Sequence, residues 1–186
     1  MYMKTEEFIK EAKRSILFAN ILPEDVNRAY ANPLFLQYSM TTIMYNLKCN
    51  IIYNDHGMSI WDYFHKELYM TIDFSELQEV MVGACERIMG IPQTQQHVEL
   101  YVKTRHVDMR IETKDCDHVL VMLHKIHKQG IEIQDPYEIL KILLKTRKEK
   151  NGYYDYMLEH YHDIARKYDL DLPRISVYRK DAKGLK

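Results

Sequence analysis

Residues 97–113, HVELYVKTRHVDMRIET, leave a chain little choice of local structure. Val98, Leu100 and Val102 alternate with polar residues, and Val107, Met109 and Ile111 do the same, which is the period of a strand with one apolar face. Folding the two runs about Lys103–His106 pairs 102 with 107, 100 with 109 and 98 with 111. The same register sets Glu99 across from Arg110 and Tyr101 across from Asp108 on the other face. A slip of one residue would turn every apolar side chain to water. A bare hairpin is marginal in water, so helices must cover one of its faces. The four-residue loop suits a hairpin built on a type I turn.

The rest of the second half punctuates itself. Asp115 predicts the cap of a helix that Gly130 closes, with Val119, Met122, Leu123 and Ile126 as its buried stripe. GIEI reads as a short strand. DPYE supplies Asp135 as cap, Pro136 at the first position and Glu138 at the third, opening a helix that ends near Asn151–Gly152. A last helix, YYDYMLEHYHDIARKY, is expected to bury Tyr154, Met157, Leu158, Tyr161, Ile164, Ala165 and Tyr168, and RISVYR reads as a final strand.

The first half reads as helical. Thr5 caps an expected helix over residues 6–19 through Phe8, Ile9, Ala12, Ile16 and Ala19. Asn32 and Pro33 open a second, whose stripe is Leu36, Met40, Ile43, Met44 and Leu47. Ser59 with Asp62 and Asp73 with Glu76 offer two more starts, the last helix stopping at Gly90 with Pro92 beyond it. NIIYNDHG is open between a short strand and an extended connection. The predicted fold class is α+β: a helical N-terminal half packed with a small antiparallel sheet (hairpin 97–112) and C-terminal helices. Residues 1–186 are expected to form a single compact unit, with a possible sub-division into a helical 1–91 and an α+β 97–186.

Several chemistries fall away. The six glycines are never closer than seven positions, so neither a P-loop nor a dinucleotide fingerprint can be written, and no G-x-S-x-G is present. Cys49, Cys85 and Cys116 form no C-x-x-C pair and read as buried free thiols. No cofactor and no metal are expected. The apolar runs are too short to span a bilayer and MYMKTEEFIKEAKR lacks an apolar signal core, so a cytoplasmic location and no membrane partner are expected. Ile, Lys, Tyr, Met, Asn and Phe number 73 against 27 for Gly, Ala, Arg and Pro, the flavour of an AT-rich genome such as a low-GC bacterium or its phage or mobile element.

Two clusters invite a catalytic reading. His118, His124 and His127 fall within ten residues, yet His118 lies about 120° around the helix from His124, so the three cannot converge on one ion. His160 and His162 point to different sides of the last helix, His162 toward Glu159 and His160 toward Asp163 or Tyr156. Asp55, His56, Asp62, His65 and Glu67 would serve a metal-dependent hydrolase or nuclease, but a turn and a helix start explain them equally.

Charge offers a better handle. Residues 1–96 carry 8 bases and 12 acids, and residues 97–186 carry 18 bases and 15 acids. KILLKTRKEK concentrates Lys141, Lys145, Arg147, Lys148 and Lys150 just before Tyr153 and Tyr154, and the tail adds Arg174, Tyr178, Arg179 and Lys180. These eleven residues form the expected partner-binding surface of a non-enzymatic protein-binding module. Its role would be an inhibitor or adaptor acting stoichiometrically on a host or cognate protein or nucleoprotein complex. The alternative is direct nucleic-acid binding by the same basic 141–154 and 174–186 segments, phosphates on the bases and nucleobases stacked on the tyrosines. The hydrolase around 55–67 ranks third.

Overall fold

The computed structural model describes residues 4–24, 46–64, 66–88, 94–170 and 174–175. Along the chain these are α1 (Thr5–Ala12), β1 (Ile16–Pro23), β2 (Asn46–Tyr53), β3 (Gly57–Asp62), β4 (Leu68–Asp73), β5 (Leu77–Ile88), β6 (Thr94–Thr104), β7 (Asp108–Thr113), α2 (Cys116–Lys128), β8 (Ile133–Gln134), α3 (Ile139–Thr146), α4 (Gly152–Lys167) and β9 (Arg174–Ile175). All strands join one mixed sheet in the order β4-β3-β2-β1-β7-β6-β5-β8, with β9 also paired to β5. At its centre β1 runs parallel to both β2 and β7, and antiparallel meanders extend to either side.

This architecture overturns the expected helical N-terminal half: among the described residues 4–88 only α1 is an α-helix, and the segment is otherwise mainly sheet. The helix expected over 6–19 stops at Ala12. Ile16–Pro23 then forms a strand in which Leu17–Leu22 are all buried, the unbroken run typical of a parallel strand covered on both faces. The helix expected after Asp73 is instead the twelve-residue β5, where Val80, Val82 and Ala84 alternate toward one face. Asp73 does cap, accepting from Ser75 N at 2.8 Å, but only a single 3-10 turn at Phe74–Glu76. Ser59 lies inside β3, and NIIYNDHG is the end of β2 and its turn into β3. The expected helix opened by Asn32 and Pro33 lies largely outside the described residues, although Leu47, the last of its stripe, is in β2; the stop at Gly90 and Pro92 expected for the helix after Asp73 also lies outside them.

The 97–113 hairpin forms with the expected apolar face but in a register shifted by two. Val102 pairs with Met109, Leu100 with Ile111, Tyr101 with Arg110 and Lys103 with Asp108. Thr104 causes the shift: its Oγ1 accepts from the His106 and Val107 amides at 3.1 and 2.9 Å, so the loop starts one residue later than expected. A shift of two preserves the faces. It also replaces the expected Glu99–Arg110 pair with Glu99 opposite Glu112.

One face of the sheet meets the helices. Leu17, Ile21, Ile51, Ile60, Val82, Val98, Leu100 and Ile111 cluster with Phe8 of α1, the Val119–Met122–Leu123–Ile126 stripe of α2, Ile139 and Leu143 of α3, and Met157, Tyr161 and Ala165 of α4. Each large side chain so buried contributes about 1.5–3 kcal/mol. In α4 the expected stripe is rotated: Tyr153 is buried, while Leu158 is 53% exposed. The α3 helix begins later than expected, at Ile139, although Asp135 still caps it by accepting from Leu140 N and Lys141 N at 3.0 Å each. It ends at Thr146, and residues 147–151 form a turn before α4.

The other face of the sheet is polar as well as buried. Asn20 and Asn50 share a 3.0 Å side-chain hydrogen bond across β1 and β2 there. Cys85, His97, Glu99 and Glu112 are also fully or nearly fully buried on it. No helix among the described residues is long and apolar enough to cross a membrane.

Candidate functional site

A groove of about 680 Å³ opens between the start of α2 and the turn that joins α3 to α4. It lies where β7 ends and α2 begins, beside the carboxyl end of the parallel neighbour β1. From β1 the chain goes on to the adjacent β2, and from β7 toward β8 at the far side of the sheet. Such a point of divergence at the carboxyl ends of parallel strands is where open α/β sheets hold ligands.

The connection from β7 into α2 is built by local hydrogen bonds. Asp115 turns its carboxylate to Ile21 N of β1 at 2.8 Å, fastening the helix start to the central strand instead of capping its own helix. Burial raises the Asp115 carboxyl above its ordinary range. Tyr154 Oη donates to the Lys114 carbonyl oxygen, which ties α4 to the same corner. Burial pushes the Cys116 thiol up to about 12, so it is neutral and inert at physiological pH. Lys114 is half-buried at the groove, with its ammonium held below the ordinary lysine range by that burial.

Five of the residues expected to contact a partner line this groove: Arg147, Lys148, Lys150, Tyr153 and Tyr154. The three bases are exposed, on a turn whose Asn151 has φ of 59° and whose Gly152 is buried against Thr146. The two tyrosines are committed elsewhere. Tyr153 is buried and donates to the His97 carbonyl oxygen at 3.3 Å, and Tyr154 is held by Lys114. Buried Tyr153 presents no ring face on which a nucleobase can stack.

Lys141 and Lys145 lie apart from that groove, beside a smaller depression of about 320 Å³ between α3 and α4. Lys141 Nζ binds Glu138 at 2.6 Å and Lys145 Nζ sits 5.7 Å over the Tyr156 ring. Glu138 also takes Lys167 Nζ at 2.8 Å and Tyr168 Oη at 3.2 Å, and these partners, Lys141 first, pull its carboxyl down to about 2. The positive charge of α3 is thus largely answered within the protein. Arg174 is in β9, opposite Cys85, while Tyr178, Arg179 and Lys180 lie outside the described residues. His118, considered above for catalysis, also lines the groove, as do the acids Asp115, Asp117 and Glu149; Lys114 does too and was not singled out from sequence, although it directly precedes a recognisable helix cap.

The clusters considered for catalysis stay dispersed. Asp55 and His56 are in the turn before β3, and Asp62 and Glu67 are at its far end, roughly 20 Å of extended strand away. Asp55 pairs with Lys125 of α2, and Asp62 accepts from Tyr69 Oη; His65 lies outside the described residues. On α2, His124 and His127 are exposed and His118 is half-buried. His162 faces Glu86 of β5 at 3.4 Å rather than Glu159, and His160 packs on Tyr156 at 4.4 Å between ring centroids. Three groups that sequence reasoning passed over do meet. One ligand atom each of Cys85, His97 and Glu112 lies within 4.8 Å of the other two, on β5, β6 and β7. No known protein family, curated protein or solved structure matches the chain.

Proposed function

We propose that the protein is a stoichiometric binding module of the inhibitor or adaptor kind. Its groove at the start of α2 receives an acidic segment of a host or cognate protein. The observation carrying this reading is that Arg147, Lys148 and Lys150, three exposed bases, share the lining of one groove with Lys114, where these four bases outnumber the acids Asp115, Asp117 and Glu149. The amino end of the thirteen-residue α2 adds its partial positive charge. Exposed bases at a groove rim govern encounter rate and orientation with an acidic partner. Direct nucleic-acid binding is the weaker reading, because Tyr153 and Tyr154 are spoken for and the bases of α3 are engaged with Glu138 and Tyr156.

Titration of the protein with a fluorescent Glu- and Asp-rich peptide and, separately, with single- and double-stranded oligonucleotides tests the choice. The peptide is expected to bind and to be lost on combined Arg147→Glu, Lys148→Glu and Lys150→Glu. Oligonucleotide binding that falls steeply with salt, with no peptide binding, would overturn it.

A further inference from the structure

We infer that Cys85, His97 and Glu112 form a binding site for one divalent transition-metal ion, with zinc the preferred ion. The site is set by the sheet. Cys85 of β5 and His97 of β6 are direct register partners. Glu99, two residues along β6, is the direct partner of Glu112 on β7, which places Glu112 diagonal to His97 on the same face. His97 Nδ1 and Glu112 Oε2 are 3.9 Å apart. A tetrahedral zinc ion with bonds of about 2.0–2.3 Å spaces its ligands roughly 3.3–3.8 Å apart. The His–Glu pair is already near that spacing, and since all three ligand atoms lie within 4.8 Å of one another, a small side-chain adjustment closes the rest.

Three further features favour an ion. The donors are a thiol, an imidazole and a carboxylate, a set that suits zinc and its transition-metal neighbours and not magnesium or calcium. All three are buried, at 1%, 4% and 0% exposure, on adjacent antiparallel strands that keep them in place. The Phe18 ring lies nearly perpendicular to the His97 imidazole at 6.4 Å between centroids, steadying it. Binding of a divalent ion by the Cys85 thiolate releases the thiol proton to solvent.

The site is separate from the groove, and cobalt tests it directly. The full chain, stripped with a chelator and checked for folding by circular dichroism, is titrated with Co²⁺ as the only metal. About one equivalent is expected to bind with tetrahedral d–d bands and a thiolate-to-cobalt charge-transfer band, and zinc should displace it. Cys85→Ala should abolish the charge-transfer band, while Cys49→Ala, a buried thiol on the opposite face, should keep it. His97→Gln and Glu112→Gln should each weaken binding by about tenfold or more, and they carry the test if Cys85→Ala fails to fold. A folded wild type that takes up no cobalt, or a band that survives Cys85→Ala, would overturn the assignment.

Discussion

Met157 and Leu158 are sequence neighbours on α4 with opposite fates, which makes them a sharp probe of how that helix sits. Met157 is fully buried within the main core, while Leu158 is 53% exposed. Met157→Ala removes three heavy atoms from this packing. At about 0.8 kcal/mol per methylene-sized group the transfer loss is roughly 2.4 kcal/mol. The residual cavity brings the total to about 3–4 kcal/mol. For a chain of this size each kcal/mol lowers Tm by about 2–4 °C, so a drop of roughly 6–16 °C follows. Leu158→Ala should change stability by less than about 0.5 kcal/mol. Urea unfolding followed by far-UV circular dichroism, with the slope checked for constancy, measures both. A Leu158→Ala cost equal to or above that of Met157→Ala would mean that α4 is rotated about its axis from the packing described, and the argument would fail.

Other perturbations have equally definite outcomes. An ideal Cβ at Gly57 would lie 2.5 Å from the Ile72 carbonyl oxygen, so Gly57→Ala should destabilise the β3–β4 hairpin by about 1–3 kcal/mol, and an unchanged melting curve would refute that close approach. Glu138, with its carboxyl pulled from the ordinary 4.5 down to about 2, contributes stability that is present above pH 4.5 and lost as pH falls toward 2. Acid unfolding of Glu138→Gln should lack that part of the slope, and a wild-type-like acid profile would contradict the ion-pair network. Tyr161 Oη accepts from Glu86 N at 3.2 Å, so Tyr161→Phe should cost about 1–3 kcal/mol in chemical denaturation by leaving that amide short of its acceptor.

What sequence could reveal followed the strength of its periodicities. The α2 stripe Val119–Met122–Leu123–Ile126 keeps helical spacing over eight residues and stands buried as expected. The hairpin faces were legible because period two is strict on both arms, and only the offset escaped, since Thr104 acts through its side chain in a way alternation does not encode. The N-terminal strands were misread for an equally physical reason. Short apolar runs such as Ile16–Leu22 satisfy helix and strand patterns alike, and pairing with β2 and β7 decides between them. Asp73 is a real cap, but a cap does not determine how many turns follow it.

The groove was half legible. Arg147, Lys148 and Lys150 stand out as a run of charge, whereas Lys114 reaches them only because β7 ends there. Lys141 and Lys145 looked equivalent in sequence, but Lys141 pairs locally with Glu138, three residues before it, while Lys145 lies over the Tyr156 ring of α4. Cys85, His97 and Glu112 share no sequence motif; strand register alone brings them together.

Quantitative affinity capture from lysate, comparing the wild type with the combined Arg147→Glu, Lys148→Glu and Lys150→Glu protein, bears most directly on the binding reading. Both proteins should melt at the same temperature, since these three side chains are exposed. The wild type is predicted to retain one protein in equimolar amount after nuclease treatment, and the charge-reversed protein to lose it. Equal retention by both, or retention that vanishes with nuclease, would contradict the account.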